Sequence, residues 1–90
     1  MAIIKFTSNL KRFFPELRPV EIQAHSVKEA IDAIEQEYNG LTAYLLEDDG
    51  RLREHVNLYI GEQLIQDRQG LTDALSDQDE LYIMQAISGG

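Results

Sequence analysis

Apolar residues recur at helical spacing between residues 27 and 39, which predicts one amphipathic helix. Ser26 predicts its start, because the Ser26 hydroxyl and Glu29 three residues later form the pattern of a capping box. Gly40 follows the last turn, where glycine readily adopts the left-handed conformation that ends a helix. Glu35 falls on the polar face and is expected to point into solvent. A helix with one apolar face needs a flat partner to cover that face.

Short segments rich in branched residues predict that partner as a sheet. Alternating apolar and polar residues at 56–60 and from residue 81 onward are typical of half-buried strands. Asp48-Asp49-Gly50, Gly61-Glu62 and Gln69-Gly70 predict turns, and residues 41–46 fit either a helical turn or a strand. The predicted strands are residues 3–7, 20–24, 56–60 and 81–87.

The order of these elements predicts an α+β fold with one main helix packed across a mixed sheet of four to five strands. The last strand is expected beside the first, because a single core leaves few other places to bury it. The ubiquitin-like β-grasp has this arrangement. We expect residues 1–90 to form a single domain with a flexible tail at residues 88–90, since a chain of this length rarely forms two domains.

Composition narrows the functional classes. The chain lacks cysteine, which excludes disulfides and thiolate metal ligands, and no apolar run is long enough to cross a membrane. A formal net charge of −8 argues against binding to nucleic acid and favours partners with basic surfaces. These features predict a cytoplasmic protein that binds neither nucleic acid nor membranes.

Catalytic chemistry within the chain is not expected. His25 and His55 lie thirty residues apart and match no metal-ligand spacing, so both are interpreted as surface residues. The acidic clusters at residues 47–49 and 77–80 are interpreted as solvated turns rather than as acid–base pairs or a calcium loop. The sequence therefore predicts no catalytic residue, no metal site and no bound cofactor.

The segment that follows the last predicted strand ends in Ser88-Gly89-Gly90. Three extended residues reach about 10 Å beyond the sheet. Because glycine has no Cβ, the last two residues can pass through a channel too narrow for side chains. A carboxylate at Gly90 could thus enter the active site of another protein, where activation would make it reactive.

Residues 77–83, together with residues 86–90, resemble the small sulfur carriers of the ubiquitin-like superfamily. That family includes the molybdopterin synthase small subunit and the thiamine-pathway sulfur carrier. The helix and the adjoining residues at 26–41 are also similar to theirs, and residues 50–53 and 56–60 resemble the branch that feeds cysteine biosynthesis. Two positions depart from the family pattern: Gln78 stands where many members have glycine, and Gln85 stands where proline is common. The first predicts a local change in the turn, and the second predicts a less rigid exit of the tail.

The resemblance implies a co-substrate rather than an enzyme. A ubiquitin-activating-enzyme-like adenylyltransferase and sulfurtransferase would use ATP and Mg²⁺ to adenylylate Gly90. A sulfur donor would then convert it to a thiocarboxylate. A downstream synthase would accept the sulfur for cysteine, molybdopterin or another sulfur-containing metabolite.

Periodicity also predicts a partner-binding patch beside the tail. If Leu81 and Ile83 face the helix, the residues between them and on the neighbouring strand face outward, and aromatic and methionine side chains are enriched at interfaces. The Phe13-Phe14-Pro15 loop is expected to pack on the edge of the sheet. The residues predicted to bind partners are Tyr59, Tyr82 and Met84, which this alternation places outward, and Ile87, which adjoins the tail.

Two other functions stay open at this point. A ubiquitin-like modifier would join Gly90 to lysines of other proteins and needs the same diglycine. A non-reactive β-grasp interaction domain would not need it.

Overall fold

One five-stranded mixed sheet, in the order β2-β1-β5-β3-β4, forms the frame of the protein. The computed structural model describes residues 1–85, so the last two residues of the strand predicted at 81–87 lie outside the described residues. The two strands most distant in sequence, β1 and β5, are parallel neighbours at the centre, and the other pairs are antiparallel. The strands are β1 (Ala2–Phe6), β2 (Val20–Ile22), β3 (Val56–Ile60), β4 (Gln63–Leu64) and β5 (Glu80–Gln85).

The helical segments are α1 (Val27–Glu37), α2 (Thr42–Leu45) and a 3₁₀ helix over Ser8–Arg12. The α+β prediction, with one main helix and the last strand beside the first, is confirmed, as is the β-grasp order of elements. The ambiguous segment at 41–46 is helical in its middle, because Leu45 turns into the core there. The 3₁₀ helix was not predicted; it is anchored by Leu10, which is fully buried.

Every second residue of the three central strands points into the core, and these residues form the sheet side of the core. Ile4, Leu58, Leu81 and Ile83 have no exposed surface, whereas the residues between them are half-buried on the opposite face. The helix side consists of the apolar stripe of α1, namely Val27, Ala30, Ile31 and Ile34.

The start of α1 has the predicted Ser26 cap, but Glu29 binds the N–H one residue before the cap instead of that of Ser26. The Ser26 hydroxyl accepts a hydrogen bond from the Glu29 N–H at 3.2 Å, while the Glu29 carboxylate accepts one from the His25 N–H at 2.9 Å. The next two free N–H groups of the helix, on Val27 and Lys28, donate to carbonyls of the loop before β5. The N–H groups of Val27, Lys28 and Glu29 would otherwise be unsatisfied at the start of the helix.

Glu35 is not the free surface residue that the helical pattern predicts. Its carboxylate accepts hydrogen bonds from the Gly40 N–H at 2.7 Å and from the N–H and hydroxyl of Thr42. These bonds, led by that from Gly40, lower the pKa of Glu35 and join the end of α1 to the start of α2.

The Phe13-Phe14-Pro15 loop packs on the helical side rather than simply on the edge of the sheet. The Phe13 ring stacks on Tyr44 of α2 with centroids 4.8 Å apart, and Phe14 meets the same ring edge-on at 5.5 Å. Tyr44 is itself an exposed apolar residue of the short helix that the sequence left ambiguous, so its availability as a partner was not predicted.

The loop that covers the start of α1 is organised by two aspartates. Asp67 accepts hydrogen bonds from the Thr72 hydroxyl at 2.6 Å and from three backbone N–H groups, those of residues 69, 70 and 72. A Cβ at Gly70 would lie 2.9 Å from the Asp67 carboxylate, so glycine permits this close approach. Asp73 accepts from the N–H groups of Gln66 and Asp67 in return.

We expect replacement of Asp67 to weaken the protein near neutral pH and much less in acid. The hydrogen bond from the Thr72 hydroxyl and then that from the Gly70 N–H lower the pKa of Asp67 from 3.8 to about 2. Because the folded pKa lies below the unfolded one, the stabilisation is complete above the unfolded value and is lost as pH falls towards the folded value. Urea denaturation should show that Asp67→Asn lowers the unfolding midpoint at pH 7, and that the difference from the original protein shrinks as pH approaches 2.

The exposed Asp48, in the turn at 48–50, offers a matched control. Asp48→Asn removes a carboxylate that accepts no hydrogen bond from residues 1–85, so it should leave the urea midpoint at pH 7 nearly unchanged. An Asp67→Asn difference of the same size at both pH values would contradict the assignment.

Gln78 occupies the backbone conformation that favours glycine. Its φ of +72° is left-handed, its side chain is exposed, and its N–H donates to the Met1 carbonyl at 3.0 Å. The turn before β5 therefore keeps a left-handed residue although glutamine replaces glycine there.

We expect Gln78→Gly to raise the free energy of unfolding by about 0.5–1 kcal/mol. Left-handed backbone costs a residue with a side chain roughly 1–2 kcal/mol, and the greater freedom of glycine in the unfolded chain offsets part of the gain. Gln23→Gly is the control, since Gln23 is exposed and does not have a positive φ. Gln23→Gly should lower the free energy of unfolding. If denaturant titrations showed that both variants change this free energy in the same direction, the explanation would be refuted.

Candidate functional site

The strand that leads to the diglycine tail lies in the middle of the sheet. β5 is hydrogen-bonded along β1 on one side and along β3 on the other. Backbone bonds continue past the ends of the pairing, with the Ile3 N–H donating to the Asp79 carbonyl and the Thr7 N–H donating to the Ile83 carbonyl. The segment that precedes the tail is therefore held from both sides.

Two tyrosines lie next to each other on the face of the sheet opposite α1. Tyr82 of β5 is directly paired with Tyr59 of β3, and Met84 is paired with Asn57 one step along. All four are half-buried, whereas the alternate residues Leu81 and Ile83 are completely buried. The predicted orientation of Tyr59, Tyr82 and Met84 is thus confirmed. Ile87, the fourth predicted patch residue, lies outside the described residues, as do Ser88, Gly89 and Gly90.

Two further residues extend this row across four strands. Lys5 of β1 is paired with Tyr82, and Leu64 of β4 is paired with Tyr59. Leu64 is 49% exposed, which is unusual for leucine in a strand. The predicted turn at Gly61-Glu62 could have identified it, because a two-residue hairpin there pairs Tyr59 with Leu64. The open face comprises Lys5, Asn57, Tyr59, Leu64, Tyr82 and Met84, and we call this set the open sheet face.

The exit of the tail is anchored by side chains that the sequence did not single out. The Asn9 side-chain amide donates to the Gln85 carbonyl at 2.8 Å, and the Gln85 N–H donates to the Thr7 hydroxyl at 3.3 Å. Gln85 thus has hydrogen bonds where proline, which lacks an N–H, would supply a fixed φ instead. Thr7 and Asn9 flank the beginning of the 3₁₀ helix, so their contacts with Gln85 depend on the β1 connection.

The residues considered for acid–base or metal chemistry are dispersed. His25 and His55 are both exposed, as interpreted from the sequence. In the acidic turns, Asp49 accepts from the Arg51 N–H, Glu47 pairs with Arg53 at 3.2 Å, and Asp79 accepts from the Ser76 N–H. Within residues 1–85, no three histidine or carboxylate side chains come together in a way that could hold a metal ion. The same residues include no helix both long and apolar enough to span a membrane.

Comparison with known proteins gives relatives over nearly the whole chain. The profile of the ThiS family matches residues 4–90. The sulfur carrier protein CysO of Mycobacterium tuberculosis is 27% identical over 75 residues, which cover 81% of each chain. Small archaeal modifier protein 3 of Haloferax volcanii is 31% identical over 65 residues, covering 72% of this chain and 70% of the relative.

Solved structures agree with this assignment. A chain in the crystal structure of the BexX/CysO complex of Amycolatopsis orientalis superimposes with a TM-score of 0.85 and 26% identity, covering 100% of both chains. The sequence match, which includes both the open sheet face and the diglycine, and the shared β-grasp fold lead to one conclusion. The chain belongs to the ThiS family of ubiquitin-like sulfur carriers.

Proposed function

We propose that this protein carries sulfur as a thiocarboxylate at Gly90 and is acted on by partner enzymes rather than being a catalyst. The observation that carries the proposal is that the family match extends through residue 90 and so includes the diglycine. The same segment follows β5, whose last described residue is anchored by Asn9 and Thr7. A rigid base with a narrow reactive end suits delivery into a second protein.

The chemistry proceeds in two displacement steps. A Gly90 carboxylate oxygen attacks the α-phosphorus of ATP on an adenylating enzyme, with Mg²⁺ on the phosphates, and pyrophosphate leaves. A sulfide-level sulfur nucleophile then attacks the carbonyl carbon of the acyl-adenylate, and AMP leaves with its bonding electrons. The product is a thiocarboxylate, and a downstream synthase accepts its sulfur for a metabolite such as cysteine or a molybdopterin precursor.

The open sheet face is proposed as the docking surface for these enzymes. Tyr59, Tyr82 and the exposed Leu64 form an apolar row, and Met84 lies one step nearer to the tail. Aromatic residues in the centre of an apolar patch commonly supply much of the binding energy of an interface. Ile87 is retained in the proposal as part of the segment that leads to Gly90, and it lies outside the described residues.

A second function, conjugation to lysines of other proteins, is favoured by one observation. Small archaeal modifier protein 3, named as a modifier, is 31% identical over 65 residues. The same acyl-adenylate would serve both functions, since a lysine amine can attack it directly or through a thioester.

We expect incubation with the adenylating enzyme of the same cell, ATP, Mg²⁺ and a sulfur donor to convert Gly90 to the thiocarboxylate. Intact-mass spectrometry should show a gain equal to the exchange of one oxygen for sulfur. A variant without Gly90 should stay unmodified and retain its melting temperature, because the last residue of a chain generally contributes little to the stability of a domain. An unchanged mass for the original protein would refute the sulfur-carrier proposal, and conjugates with other proteins would instead support the modifier.

We expect Tyr82→Ala to slow activation about tenfold or more, which is the effect of losing an interface contact worth roughly 2 kcal/mol. Tyr44→Ala is the matched control, because Tyr44 is an exposed tyrosine of α2 that packs on Phe13 away from the open sheet face. The initial rate of pyrophosphate release, measured on folded samples of both variants, checks this expectation. Equal rates for the two variants would exclude Tyr82 from the docking surface.

A further inference from the structure

The basic residues of this acidic protein are concentrated in its first twenty residues, which include the 3₁₀ helix next to the exit of the tail. Half of the eight lysines and arginines occur in the first twenty residues, where Glu16 is the only carboxylate. The remaining seventy residues carry the other fifteen carboxylates. The net charge of −8 therefore hides a strong asymmetry between the connection from β1 to β2 and the rest of the surface.

Part of this basic region forms a shallow groove of about 190 Å³. Three cationic side chains and no carboxylate line it, and aromatic or proline rings complete the wall. Lys11 and Arg18 are exposed, while Lys5 is half-buried and contacts Glu80 at 3.1 Å. The lining residues are Lys5, Phe6, Lys11, Arg18, Pro19 and Tyr82. We call this the basic groove.

Two of the three groove cations, Lys11 and Arg18, have no ion-pair partner among residues 1–85, whereas Lys5 pairs with Glu80. Lys28 pairs with Asp32, and Arg51 and Arg53 pair with carboxylates of their own turn. Arg18 also lines a second depression together with Glu16, Glu37 and Tyr38, but neither glutamate lies within ion-pair distance of it. Neither Lys11 nor Arg18 makes a side-chain hydrogen bond to another described residue, so the fold does not require their charges.

The groove is continuous with the two features already assigned to partner binding. Tyr82 belongs both to the groove and to the open sheet face. Lys11 is in the 3₁₀ helix that begins directly after Thr7, and Thr7 and Asn9 bind Gln85 at the tail exit. A partner seated on the open sheet face and holding the tail would therefore also cover Lys11 and Arg18.

We propose that the basic groove binds an acidic segment of the partner protein, with its carboxylates at Lys11 and Arg18 and its methylenes against Tyr82 and Pro19. That this partner is the adenylating enzyme rests on the proposed function. Charge complementarity steers encounter and fixes orientation, so the groove would align the tail with the active site. We therefore expect the partner to present an acidic surface to the basic groove. The net charge of this protein alone predicted a basic partner surface. Nucleic acid is a poorer occupant of the groove, because a protein that binds nucleic acid needs an extended basic face. This protein has only a short groove and a net charge of −8.

The direct test needs no enzyme. Isotope-labelled protein is titrated with a hexaglutamate peptide at low salt, and backbone amide shifts are followed by NMR. The expected result is saturable shifts at Lys5, Phe6, Lys11, Arg18 and Tyr82 that weaken as salt is added. Shifts elsewhere only, or none, would overturn the proposal. Tighter saturable binding of pyrophosphate or ATP than of the peptide would also overturn it, since it would assign the groove to a phosphate anion.

Charge-matched variants make the test specific. Lys11→Glu with Arg18→Glu should abolish the peptide-induced shifts, whereas Lys28→Glu with Arg51→Glu changes the net charge equally on other surfaces and should retain them. A second groove variant, Lys11→Gln with Arg18→Gln, removes the charges without adding repulsion. It keeps the test valid if the Lys11→Glu, Arg18→Glu variant fails to fold. Retention of the shifts in both groove variants would overturn the proposal.

Activation kinetics connect the groove to the tail. With the adenylating enzyme, the groove reversal should raise KM about tenfold at low salt and leave kcat unchanged, and added salt should narrow the difference. The control pair should have the KM of the original protein. Equal KM values for both pairs would overturn the assignment to this partner. Failure of the original protein to be activated at all would refute the proposed function, while the peptide titration would still decide the groove.

Discussion

The pairing of β5 between β1 and β3 is the constraint on which the rest of the structure depends. It brings residues near the two ends of the described chain into register, with Ile4 beside Leu81 and Leu58 beside Ile83. These completely buried side chains form the surface on which α1 packs. The same register, on the opposite face, places Lys5, Tyr82 and Tyr59 in one row. A shift of β5 by one residue would exchange the two faces and destroy both the core and the open sheet face.

The polar network around α1 links this sheet to the loops. Asp67 and Asp73 shape the loop at 66–73, and that loop's carbonyls accept the first N–H groups of α1. At the other end of the helix, Glu35 binds the turn into α2. Charged groups of an acidic protein are thus used as acceptors for backbone donors, which explains why carboxylates are concentrated in turns without forming a catalytic cluster among the described residues.

The periodicity of apolar residues was sufficient to predict the strands that bury every second residue and the helix that buries one face. The capping residue Ser26, the buried pair Leu81 and Ile83, and the outward orientation of Tyr82 all follow from local pattern. Glu35 and Asn9 could not be identified in this way, because their partners at Thr42 and Gln85 lie in separate elements whose relative placement depends on tertiary packing. Net charge was similarly uninformative about the basic groove, since a sum over the chain discards where Lys11 and Arg18 lie.

The central position of β5 also determines how the protein bears mechanical load. Inter-strand hydrogen bonds cross between the strands, perpendicular to them in the antiparallel β3–β5 ladder and slanted in the parallel β1–β5 ladder, and β5 has such bonds on both sides. A force on Gln85 along the strand direction therefore loads the hydrogen bonds of both ladders together, in shear. An edge strand that is peeled away would instead lose its hydrogen bonds one at a time. The enzyme proposed to activate Gly90 could thus pull on the residues that follow Gln85 without unravelling the domain.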